Sequence, residues 1–232
     1  MKHNFIDYNT KTVSGVGWRV CLLEHFLNSK NEGDYYQFGV AGGFSMQVLG
    51  TYQRLIPQPT VPPKFFGFDV FTGMPVEAVE PEKQLDEPGY FKLMEIYKAD
   101  SFEVAISRLV EDITYNLAND VELNIIVGLV QNQLNETFLQ RCNPRPAFYV
   151  DMDMDIYSPT LYALDFMIKN KLIVEGTLIG FDDWGQNYPL SPTFTCGESR
   201  ALREVCEKYG MLYETLHTTD NNQQTLIKVT KV

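Results

Sequence analysis

From residue 34 onward, short apolar runs alternate with longer stretches in which apolar residues recur every three or four positions. The runs at 35–40, 65–71, 123–127, 147–152 and 177–181 predict strands. Between them, the helical period predicts helices at 45–55, 101–116, 133–140 and 160–171, with another at 199–209. A segment near 14–29, carrying Val20, Leu22, Leu23, Phe26 and Leu27, predicts an amphipathic leading helix. This alternation implies a largely parallel sheet with crossover helices on both faces. The tail changes period: 212–218 and 225–230 are β-rich runs split by Asp220-Asn221-Asn222, which predicts an antiparallel hairpin. One α/β domain over 1–232 is expected, with a seven-stranded, mostly parallel sheet and a leading helical segment at 1–33. The polar, proline-rich stretches 57–64 and 75–90 predict loops. The second lies in a segment, 72–100, long enough to serve as an active-site flap.

Composition narrows the function. With 232 residues, 44% hydrophobic and 21% charged, the chain can bury one core. Its formal charge of −11 repels phosphate backbones, so a small-molecule partner is expected and nucleic acid is not. No run approaches the roughly 18 apolar residues of a membrane helix, and the opening MKHNFIDYNTKTVSG lacks the apolar core of a secretion signal. A cytoplasmic location away from membranes is expected. Cys21, Cys142, Cys196 and Cys206 form no CxxC pair, which fits reduced thiols better than zinc or redox chemistry. Without a secretion signal, the sequon Asn135-Glu136-Thr137 carries no weight. The leading helix is a candidate interface for a homo-oligomer.

Three constellations carry chemistry. Gly39-Val40-Ala41-Gly42-Gly43-Phe44-Ser45 follows a strand and opens a helix, where glycines allow a tight turn and the helix start exposes N–H groups to a ligand. Its spacing is neither G-x-G-x-x-G nor a phosphate loop, so a cofactor without pyrophosphate fits it better than a nucleotide. Asp69 ends the next strand, placed to accept hydrogen bonds from a ribose diol. Asp151-Met152-Asp153-Met154-Asp155 puts three carboxylates within five residues, all on one side if the strand persists that far. The following strand ends in Asp182-Asp183-Trp184. In a parallel sheet both acidic groups emerge at the same edge, as oxygen ligands suited to Mg²⁺, Mn²⁺ or Ca²⁺. A ligand-free turn, and acidic loops pointing separately into water, are the alternatives.

Together the motifs resemble the macrocin O-methyltransferase family: Gln37–Ser45, Gly67–Pro75, Asp153–Thr160, Gly180–Trp184 and then Gly197-Glu198-Ser199-Arg200-Ala201. The likeness runs in order from about residue 34 to 210 and is thin between Gly73 and Asp153. It implies a Rossmann-like class I methyltransferase fold, to which the order of five parallel strands and a final antiparallel pair conforms. It also implies transfer of a methyl group from S-adenosylmethionine to a hydroxyl of a sugar or glycosylated metabolite, with Mg²⁺ or another divalent cation assisting. The resemblance assigns Asp153, Asp182 and Asp183 to the metal. Asp155 is the candidate general base, with a role exchangeable with that of Asp153. Gln37, Gly39, Gly42, Gly43, Ser45 and Asp69 are the candidate cofactor residues. The family usually has an acid where this chain has Gln37, which can still accept a hydrogen bond from the methionine ammonium. His3, His25 and His217 fall in no matching motif. A metal-dependent glycosyltransferase with an Asp-x-Asp site, and a non-catalytic binding protein of the same fold, are the rival functions.

Overall fold

The computed structural model describes residues 19–28, 32–55, 59–77, 79, 89, 91–185, 197–219 and 224–232. Seven strands form one sheet: β1 (Asp34–Phe38), β2 (Lys64–Asp69), β3 (Glu122–Val127), β4 (Ala147–Met152), β5 (Leu178–Phe181), β6 (Leu212–Thr218) and β7 (Thr225–Lys231). Their spatial order is β3-β2-β1-β4-β5-β7-β6. The first five run parallel, and β7 pairs antiparallel with both β5 and β6. Seven strands, mostly parallel and ending in an antiparallel hairpin, are as expected. The Asp220-Asn221-Asn222 turn lies outside the described residues.

Helices cover both faces because the strands are apolar on both sides. Tyr35, Phe65, Tyr149 and Leu178 pack against α1 (Arg19–Leu27), α2 (Phe44–Leu55) and α4 (Phe102–Asn116) through Phe26, Leu49, Tyr52, Leu109 and Ile113. Tyr36, Phe66, Val150 and Ile179 face the opposite way, toward α6 (Glu136–Cys142), α7 (Tyr157–Lys169) and α8 (Gly197–Tyr209). Aromatic rings stack across β1 and β2 in the pairs Tyr35–Phe65, Tyr36–Phe66 and Phe38–Phe68, adding cross-strand attraction to burial.

Three local features differ from expectation. The segment 72–100 contains a short helix, α3 (Leu93–Tyr97), ended by Lys98 in the left-handed conformation. The single helix expected at 133–140 is two, α5 (Val130–Gln133) and α6, because Asn135 is extended and its side chain accepts the Phe138 N–H as a new N-cap. Helix α7 begins three residues before Thr160, since Pro159 in a first turn gives up only an N–H that has no helical partner there.

The sheet's two edges have different jobs. At the amino edge, buried Asp34 accepts the Lys64 N–H (2.9 Å), the Arg145 N–H (2.8 Å) and the Arg145 guanidinium (Nε, 2.9 Å). One carboxylate thus ties β1 to the starts of β2 and β4. At the carboxyl edge, successive strands run one way from β1 to β3 and the other way from β4 to β5, so the crevice of a switch point opens between β1 and β4.

Candidate active site

The exits of the parallel strands are laced together by backbone bonds: Gly39 N–H to Phe68 C=O (2.9 Å), Asp153 N–H to Phe38 C=O (2.8 Å), and Asp182 N–H to Met152 C=O (3.0 Å). The β1 and β4 exits touch so closely that a Cβ on Gly39 would stand 1.6 Å from the Asp153 carbonyl oxygen, and Gly39 has φ +84°. Only glycine fits there. Above these exits lies a cavity of about 650 Å³. Its lining includes Gly39, Ala41 and the acids Asp69, Asp153, Asp155, Asp182 and Asp183, together with the apolar Phe68, Met74, Val76, Phe91, Leu129 and Pro159.

Asp153, Asp182 and Asp183 each offer a carboxylate oxygen, with the three atoms within 4.8 Å of one another. The set therefore fits a hard divalent cation. Asp155 lines the same cavity but reaches it differently from the expected alternation. Strand β4 stops at Met152, and Asp155 itself has φ +62°. Asp151, still in the strand, is fully buried and outside the cavity lining. The three acids of the motif therefore do not share one face. Burial raises the Asp155 carboxyl above the ordinary range; a hydrogen bond with Asp183 opposes the shift, and the charges of Asp182 and Asp69 reinforce it.

Asp69 also differs in detail. Its Oδ2 accepts the Val40 N–H (2.7 Å) and Ala41 N–H (2.8 Å), and its Oδ1 accepts the Phe71 N–H (2.6 Å). Two N–H groups of the glycine turn are thus engaged by a side chain of the neighbouring strand. Oδ1, with one such partner, keeps lone-pair capacity for another donor. Gln37, Gly42, Gly43 and Ser45 lie outside the cavity lining. Gln37 is buried and donates from Nε2 to the Gly39 C=O (2.8 Å), bracing the turn from below. Gly43, at φ +77°, faces α4, where a Cβ would stand 2.7 Å from Leu109 Cδ1.

Three site residues escaped the sequence reading. Glu198, fully buried in the first turn of α8, accepts the Met154 N–H at Oε1 (3.3 Å) and the Asp183 N–H at Oε2 (3.1 Å). Burial raises its carboxyl well above the ordinary range, and the charges of Asp183 and Asp153 push the same way. Glu77, buried in the segment after β2, accepts the Ser158 N–H and hydroxyl at 2.6 Å each, and so caps α7 with a negative charge. Gln224 donates to Asp182 Oδ1 at 2.6 Å. The only advance signal among them was Glu198, within the motif Gly197–Ala201.

No protein-family model matches the sequence, and no curated protein matches it. Solved structures do. The calicheamicin methyltransferase CalS11 superposes with a TM-score of 0.60 at 22% identity, over 90% of this chain and 76% of that one. The O-methyltransferase NovP gives 0.61 at 16% identity, over 91% and 81%. A second CalS11 structure, described as a TDP-rhamnose 3'-O-methyltransferase, gives 0.54 at 18%, over 90% and 77%. This chain shares the Rossmann-like fold of these proteins. Among its described residues, no helix is long and apolar enough to cross a membrane.

Proposed function

We propose that this chain is an S-adenosylmethionine-dependent O-methyltransferase acting on a hydroxyl of a sugar or glycosylated small molecule, assisted by a divalent cation. The observation that carries this reading is the meeting of Asp153, Asp182 and Asp183 beside Gly39 and Asp69 around one cavity. A cavity of about 650 Å³ is within the range of sites for small molecules and cofactors. The likeness to CalS11, whose described substrate is a TDP-sugar, supports a sugar acceptor. Segment 72–100 is the flap in this account, with Glu77 fastening its base to α7.

S-adenosylmethionine supplies the methyl group as a sulfonium, a good leaving group. A divalent cation beside Asp153, Asp182 and Asp183 supplies positive charge that favours ionisation of a nearby hydroxyl. The rest falls to the chain. Gly39 lets the β1 and β4 exits close together at the cavity, and Asp69 is placed to accept from a ribose hydroxyl. Asp155, on the same cavity, is placed to take the acceptor's proton. Asp153 takes that part if the two exchange roles. Met74, Phe91 and Leu129 offer the acceptor apolar surface in the same cavity.

Replacing Asp182 by Asn removes a ligand charge while preserving shape. Transfer of labelled methyl to a sugar acceptor should be lost, with affinity for S-adenosylhomocysteine within a few-fold of wild type by calorimetry. Retained turnover would remove the metal assignment.

A further inference from the structure

Glu198 differs from the other site acids in lying outside the cavity lining, with both carboxyl oxygens turned to backbone N–H groups. β4 ends at Met152 and β5 at Phe181, and the bond from the Asp182 N–H to the Met152 carbonyl joins the two exits just beyond. The Met154 N–H lies one residue beyond the candidate ligand Asp153, and the Asp183 N–H belongs to a candidate ligand itself. Glu198 takes one with each oxygen, at 3.3 and 3.1 Å, from the rigid first turn of the 13-residue helix α8.

We propose that Glu198 is a positioning residue: by bridging the Met154 and Asp183 N–H groups, it holds the two acidic strand exits at the separation a shared cation requires. The inference rests on the cation reading above. A carboxyl group suits this work because its two oxygens can each accept one N–H. Aspartate, one methylene shorter, would not span both loops. Supporting groups around metal ligands commonly govern affinity by about 10- to 100-fold.

The test is calorimetric titration of Mn²⁺ into the full-length chain and its variants. Glu198→Asp keeps the charge but breaks the bridge, and it should bind about ten-fold more weakly or worse. Glu198→Gln loses the charge but keeps one acceptor oxygen and the length, and it should lose less. Asp34→Asn, which loosens the opposite edge of the sheet, should bind as wild type. Charge alone would reverse the order of the two Glu198 variants, and that order overturns the proposal. Wild-type affinity in Glu198→Asp, or equal weakening in Asp34→Asn, overturns it as well. If Glu198→Asp does not fold, unchanged affinity in Glu198→Gln is decisive against the bridge. Absence of Mn²⁺ binding to the wild type removes the cation reading itself, a result distinct from these.

Discussion

At the scale of single residues, some of the groups that line the cavity also shape the backbone beneath it, and Gly39 is one of them. Gly39→Ala would drive a Cβ into the Asp153 carbonyl at a φ that side chains avoid. Loss of S-adenosylhomocysteine binding and a lowered melting temperature are expected, measurable by calorimetry and thermal unfolding. Asp34 shapes the other edge. Arg145→Met leaves its carboxylate fully buried with two backbone N–H groups but no counter-charge. The cost should be about 3 kcal/mol, the low end for breaking a buried pair, because Arg145 is partly exposed. In a chain of this size that corresponds to a fall of about 6–12 °C in Tm. An unchanged Tm would contradict the clamp. The cavity acids Asp153, Asp182 and Asp183 were legible in the sequence because each group ends a strand, and parallel strands end together. Glu198 was not, because its partner Met154 lies 44 residues away and their meeting is tertiary. Asp151 was misplaced by alternation, which stops at Met152 where the backbone turns toward Asp155.

At the scale of elements, long apolar patterns were read closely and short ones were not. Strands β4 and β6 have the expected bounds, whereas α3 and α5, of five and four residues, are too short to show a helical period. The contact between α7 and α8 yields a pH prediction. Burial alone would raise Glu204, but hydrogen bonds from the Tyr157 hydroxyl (2.6 Å) and Arg200 (2.8 Å) outweigh it and hold the carboxyl below the ordinary range. A lowered folded value means that this stabilisation is full above the ordinary glutamate range and is lost as pH falls through the lowered one. Glu204→Gln should therefore melt lower than wild type at pH 7, by a few degrees for a contribution of about 1 kcal/mol. The two curves should converge once the pH falls below the lowered Glu204 value; a gap independent of pH would refute the linkage.

At the scale of the molecule, the alternation of strands and helices gave away the class of fold. The strand order that opens a crevice between β1 and β4 needed the tertiary structure. An excess of EDTA should stop methyl transfer, and added Mg²⁺ should restore it; full activity in chelator would favour a cation-free reaction. The central claim is that this crevice binds S-adenosylmethionine, and the most direct measurement is calorimetric titration of S-adenosylhomocysteine into the purified chain with Mg²⁺ present. The account predicts one saturable site, strongly weakened in Asp69→Ala. Absence of binding at millimolar concentration, or equal binding to Asp69→Ala, would contradict it.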